Sequence, residues 1–402
     1  MKWISLILAA FVAAVTADTA LEEFAAGNRL FTARLYNEVL KNNHDANFVF
    51  SPLSIEIILA LTQAGAKGKT AEEFTTALNL PSTQQKTQEA LKQFLPTLKS
   101  NTNDLKLSSA NKLFLGEAFE ILESFKQLAT SVFEAGAENI DFSKNQAAAE
   151  SINKWVESQT NNKIQNLINP DSLSAATRLV LVNALYFKGK WSTPFEDYLT
   201  RKEKFFVTKT NSKEVDMMHV EDTFRYYECT KRNAKFLELP YAGENVTMTI
   251  VLPNEVEGLT ALESNVESLL TPPPYNYERV AVSLPKWLVE TKLELNQILE
   301  NLGLKTAFTG DADFSNLSKE ALQISQVVQK AFINVTESGT EAAAATAAKI
   351  HQPCNFLPPN GVFYASHGFL YYIQYNRKIT LMVGRLQTFD DVYDKFLNSL
   401  IQ

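Results

Sequence analysis

Residues 337–348 read Glu-Ser-Gly-Thr-Glu-Ala-Ala-Ala-Ala-Thr-Ala-Ala, about 50 residues from the end of a 402-residue chain. Strand-like runs flank them: 327–335 before, and 368–374 with 379–383 after. Alanine loses no side-chain entropy on becoming helical, so taken alone the stretch is a good helix sequence. Small side chains are also what a segment needs if it must slide between two existing strands without collisions.

Composition sets the frame. A hydrophobic content of 45% with 21% charged residues is ordinary for a globular chain with a sizeable core. No Pro/Gly/Ser-rich linker or charge run divides it, so one large domain is expected. Residues 1–17 combine Lys2, an apolar stretch over 4–15 and small residues at Val15 and Ala17. That pattern predicts a secretory signal peptide, too short for a membrane anchor, and a mature chain starting near Asp18. Loss of Lys2 takes the net charge from −7 to about −8, so neither nucleic acid nor a membrane is an expected partner.

Apolar residues at three-and-four spacing predict helices over 21–41, 52–64, 70–78, 87–98 and 147–160, so that the first 170 residues read mainly as helix. Beyond Thr177 the runs 179–187, 248–252, 279–284 and 379–383 predict strands. The fold class is therefore α+β. At the C-terminus, Phe389, Val392, Tyr393, Phe396, Leu397, Leu400 and Ile401 recur on one helical face, which reads as a packed helix, a frayed tail or a partner-binding helix. Only His44, His219, His351 and His367 are available as imidazoles, without metal-ligand spacing, and Gly65-Ala-Lys-Gly68 is too sparse to cradle a phosphate. No catalysis, metal or cofactor is expected.

Several segments, taken in order, resemble the serpins, suicide inhibitors of serine proteases. They are NFVFSPLSIEIILALTQAGAKGKT (47–70), INKWVESQTNNKIQNLI (152–168), TRLVLVNALYFKGKWSTPF (177–195), ELPYAGENVTMTIVLPNE (238–255), ESGTEAAAATA (337–347), Phe369 and the tail Met382-Val-Gly-Arg385. The resemblance spans roughly 25–388, and 152–168 leans towards arthropod members. It implies three β-sheets, about nine helices and an exposed reactive loop at about 337–362 within a domain of 18–388, with 389–402 as an extension. The implied function is secreted, extracellular and monomeric inhibition, in which a target serine protease attacks a bait bond and the cleaved loop inserts into the main sheet. Alternatives are a non-inhibitory carrier or storage member, or a cysteine-protease inhibitor.

The hinge comprises Glu337, Gly339, Thr340, Glu341, Ala342, Ala344 and Thr346. Alternate residues of an inserting strand share a face. Thr340, Ala342, Ala344 and Thr346 form one with nothing charged or bulky, which favours an inhibitor. Counting seventeen residues from Glu337 as the family usually does gives Pro353 and Cys354 at the bait bond, although proline's fixed φ suits a protease poorly. Counting back from Phe369 points near Leu357, leaving Asn355, Phe356 and Leu357 as alternatives. Cys354 would suit an elastase-like pocket and Phe356 a chymotrypsin-like one; Lys349 would attract trypsin-like enzymes but shorten the inserted strand.

By resemblance, Ser51, Ser54 and Asn183 form a polar cluster beneath the sheet, Trp191 marks the loop entry, and Lys286 pairs with Glu337 there. Gln329 replaces a common histidine, removing a proton-driven response from that site. On the residues alone, Ser51 and Ser54 could equally cap the helix beginning at Pro52, and Asn183 and Trp191 could be satisfied core residues. Of the sequons at Asn245, Asn316 and Asn334, Asn316 is the expected glycan site, since Asn334 falls on a presumed buried strand and Asn245 beside one. Cys229 and Cys354 are expected as free thiols, because a bridge would tether the moving loop.

Overall fold

The computed structural model describes residues 2–98, 104–340 and 358–389. The chain opens with helix α1 (Lys2–Lys41), strand β1 (Phe48–Phe50) and helices α2 (Pro52–Ala64), α3 (Gly68–Leu78) and α4 (Gln84–Leu98). Next come β2 (Leu105–Gly116), α5 (Glu123–Val132), β3 (Gly136–Ile140), α6 (Asn145–Gln159) and β4 (Leu179–Lys190). The middle is β5 (Arg201–Phe206), β6 (Ser212–Cys229), β7 (Ala234–Pro240), β8 (Val246–Pro253), α7 (Leu259–Glu263), α8 (Val266–Leu269), β9 (Asn276–Pro285), β10 (Trp287–Glu294) and α9 (Asn296–Asn301). The last strands are β11 (Ile324–Thr336), β12 (Gly339–Thr340), β13 (Gly361–Tyr364), β14 (Phe369–Tyr375) and β15 (Ile379–Leu386).

A six-stranded sheet in the order β10-β11-β12-β4-β2-β3 faces a nine-stranded sheet, in which eight strands follow the order β1-β15-β14-β8-β7-β6-β9-β13 and β5 pairs with β6 off that path. The two smaller sheets of the expected three are joined through β6, whose 18 residues pair with β5 and β9 along most of their length and with β7 at the end. The nine α-helices among the described residues match the expected number.

All thirteen residues of α2 are buried, because it packs between β15 of one sheet and β2 and β4 of the other. Pro52 pre-sets φ in the first turn and the Ser51 hydroxyl accepts the Ser54 N–H, so the helix starts where the chain passes under the sheet. Alternation along β4 divides the packing: Leu179, Leu181, Leu185 and Phe187 join the main core, while Val180, Val182, Ala184 and Tyr186 pack with Ile152 and Val156 of α6.

Four of the predicted helices lie within three residues of their expected bounds, whereas the one expected over 21–41 is corrected at its start, since α1 begins at Lys2 and runs through the apolar stretch 4–15. The helical reading of the first 170 residues is corrected in part, since β1, β2 and β3 lie there. Both faces of β2 are covered, Leu113 and Leu115 by the main core and Ala110 and Phe114 by the α6 cluster, which blurs the alternation that would have marked a strand.

Candidate functional site

From Ile324 to Phe332, β11 pairs directly with β4 in parallel, ending with Phe332 opposite Tyr186. Beyond that level the two part and β12 lies between them. Thr340 is opposite Val335 on one side and Gly189 on the other; Gly339 is opposite Thr336 and Lys190. Gly339 and Thr340, near the start of the small-residue segment, thus already occupy the sheet.

Glycine is required at this wedge. Gly339 has φ +150°, and a Cβ there would come within 2.1 Å of the Gly189 carbonyl oxygen. A Cβ on Gly189 would meet the Tyr241 ring at 2.7 Å. Tyr241 stacks on Trp191 at 4.4 Å between centroids and shares a 2.7 Å hydrogen bond with the Thr340 hydroxyl. Burial holds the Tyr241 phenol well above its usual pKa, so it stays protonated. Trp191 donates its indole N–H to the Thr336 carbonyl at 3.1 Å and its backbone N–H to the Ser338 carbonyl at 3.1 Å. Glu337 accepts from Lys286 Nζ at 3.0 Å and from the Thr200 hydroxyl at 2.8 Å, and its carbonyl accepts the Phe195 N–H at 2.9 Å. Trp191, Lys286, Glu337, Gly339 and Thr340 are therefore gathered at one place in the sheet.

About 20 Å down the strands, six residues along, a polar cluster crosses the sheet. Asn111, Asn183 and Gln329 stand side by side on β2, β4 and β11. Asn183 Nδ2 donates to the Ser54 carbonyl at 3.1 Å, the Ser54 hydroxyl and Asn111 Oδ1, and Gln329 Nε2 donates to Asn183 Oδ1. Gln329 also exchanges two 3.0 Å bonds with the Ser51 backbone, while the Ser51 hydroxyl donates to the Leu381 carbonyl at 2.6 Å. Ser51 both caps α2 and joins the cluster.

The sequence reading missed Asn111, Tyr241 and Thr200. Asn111 carried a faint signal as an amide within an apolar run, but its place beside Asn183 depends on register. Glu341, Ala342, Ala344, Thr346, Lys349, Pro353, Cys354, Asn355, Phe356 and Leu357 lie outside the described residues, as does the tail from 390. Phe389 packs edge-on against Phe205 at 4.8 Å. Asn316 is exposed, Asn334 half-buried on β11, and Asn245 exposed in the turn before β8. Cys229 is a buried free thiol. Among the described residues no group of His, Cys, Asp and Glu could hold a metal ion.

The arrangement is a parallel strand pair parted at one end around a small-residue segment and tied lower down by side-chain amides. A family model described as Serpin (serine protease inhibitor) matches residues 26–388. The chain is 38% identical to Antitrypsin of Bombyx mori, covering 93% of this chain and 97% of that one. It is also 38% identical to Antichymotrypsin-2 of Bombyx mori, over 87% and 94%. The crystal structure of Serpin48 from Tenebrio molitor superposes with a TM-score of 0.86 at 40% identity, covering 92% of this chain and 98% of that one. The chain belongs to the serpin family.

Proposed function

We propose that this chain is a secreted inhibitor that traps serine proteases as acyl-enzymes and inserts its cleaved loop between β11 and β4. The observation that carries the reading is the wedge of Gly339 and Thr340 between those strands. Continuing the register with Thr340 opposite Gly189, Thr346 comes opposite Asn183 and Ile350 opposite Leu179, the first residue of β4. Thr340 is fully buried. Its face then continues through Ala342, Ala344, Thr346 and Ala348, all small enough to enter without displacing the core. Insertion parts the Asn183–Gln329 bond and the β11–β4 ladder between Ile324 and Phe332 and puts two rows of ladder hydrogen bonds in place of that one, each bond of the net extra row contributing roughly 0.5–1.5 kcal/mol.

The protease serine attacks the bait carbonyl, the peptide C–N bond breaks, and the new amine leaves with a proton from the enzyme's histidine. A bond after Pro353, or at Cys354, Asn355, Phe356 or Leu357, leaves every residue through Ile350 on the inserting strand. Cleavage after Lys349 leaves the strand one residue short, and such a product behaves as spent substrate. Phe356 and Cys354 favour chymotrypsin- or elastase-like targets. The signal-like residues 1–17 support secretion, and the exposed position of Asn316 supports glycosylation there.

The test mixes the mature protein with trypsin, chymotrypsin and elastase separately, followed by denaturing electrophoresis and mass analysis of the released C-terminal peptide. A denaturation-resistant complex with chymotrypsin or elastase, and a peptide beginning between 354 and 358, is expected. Clean cleavage by every enzyme without a complex would contradict inhibition.

A further inference from the structure

Among the described residues, the exposed large apolar side chains are Tyr198, Leu199, Tyr277, Val362 and Tyr364. Scattered single residues of this kind need no explanation, but these collect at the two feet of the segment 341–357. Tyr198 and Leu199, 80% and 37% exposed, immediately precede Thr200, whose hydroxyl holds Glu337 at the first foot. Val362 and Tyr364 sit on β13, which begins three residues after Pro358. At that second foot the Asn360 N–H donates to the Arg279 carbonyl at 2.8 Å, which sets the returning chain beside Tyr277 on β9.

Tyr277 is 69% exposed yet held in place. The Arg225 guanidinium lies 4.7 Å from its ring centroid and donates to its hydroxyl at 3.0 Å. A tyrosine fixed in this way presents contact area at little entropic cost, and tyrosine beside arginine is the composition of interface hot spots. The bridge between Phe206 of β5 and His367 sets β5 beside the chain that leaves β13, and burial together with the Glu203 carboxylate of β5 pushes the Tyr364 phenol up to about 12. A bond at 353–357 is five to nine residues from Val362, at most roughly 16–32 Å of chain. A protease anchored there, with a typical footprint of about 800 Å² per partner, is held within that length of chain of Val362.

We propose that Tyr198, Leu199, Tyr277, Val362 and Tyr364 form a second contact surface for the target protease, engaged while the loop occupies its active site. The proposal rests on the inhibitory reading. It is tested on the full mature chain with whichever of trypsin, chymotrypsin and elastase forms the covalent complex, comparing wild type with Tyr277→Ser/Val362→Ser and with Tyr198→Ser/Leu199→Ser. The association rate constant falls about tenfold in each double variant, while stoichiometry of inhibition and melting temperature stay unchanged. Complex formation at rates within twofold of wild type overturns the surface and leaves the inhibitory reading standing. A wild-type chain that traps no enzyme overturns both. Self-association of the wild type, abolished by the same substitutions in sedimentation, assigns the patch to a second copy and overturns the proposal.

Discussion

The two levels of the six-stranded sheet are held together by different chemistry. At the entry, β11 and β4 are parted around Gly339 and Thr340, and the wedge is fixed by an aromatic stack, an ion pair and a phenol-to-hydroxyl bond. Six residues down, the same strands pair directly through their backbones and are tied as well by side-chain amides, with Asn183 donating to Ser54 and Asn111 and accepting from Gln329. Apolar packing at the lower level would favour one closed state at any separation. Directional amide bonds are lost within a small displacement and are replaceable by another backbone. On the insertion proposal, the upper level holds a strand already started and the lower one yields to its continuation.

The largest expected break in this comparison is Thr346→Arg, which carries a charge to the position opposite Asn183. Burying an unpaired charge costs far more than a ladder bond returns. Covalent complex should fall below a tenth of wild type while cleavage continues, as read on a denaturing gel. Next is Asn183→Ala, which orphans buried partners on α2, β2 and β11. The first denaturant transition should lose about 2–4 kcal/mol, since each stranded buried group costs roughly 1–3 kcal/mol.

The pH profile of Glu56→Gln sharpens the lower level. Glu56 is fully buried on α2, two residues from Ser54; one oxygen accepts from Asn28 Nδ2 at 2.5 Å and the other has no partner. Burial pushes its carboxyl well above the usual range, against a smaller opposite effect of the Asn28 bond. The native state therefore prefers the protonated acid. The contribution is fully present below the unfolded-state value and is lost as pH rises towards and through the raised native value. Wild type should lose stability over that window relative to Glu56→Gln, measured by denaturant titration across pH.

The smallest effect belongs to Tyr241→Phe, which keeps the stack on Trp191 and removes one hydrogen bond to Thr340. It should cost about 1 kcal/mol and loosen the wedge, seen as a change in Trp191 emission. An effect at Tyr241 equal to that at Asn183 would erase the distinction between the levels.

Much of this was legible in the sequence where local signals agree. The bounds of α2 follow from Ser51, Pro52 and the cap, and match residue for residue. The small-residue face of the hinge needed only period-two counting. Long-range placement was not legible from composition or period. Asn111 is 72 residues from Asn183, and Tyr241 is 99 from Thr340, so only strand register brings them together. The strand β2 was hidden by being covered on both faces, and β6 escaped notice because its burial pattern is irregular as it changes partners.

The most direct test is amide hydrogen exchange of residues 341–350 and of β4 and β11, before and after cleavage of the chain beyond residue 350. The insertion account predicts that 341–350 become as slowly exchanging as β4 once cleaved, with protection reaching the level of Asn183 and Leu179. Residues 341–350 exchanging at unprotected rates after cleavage would contradict it.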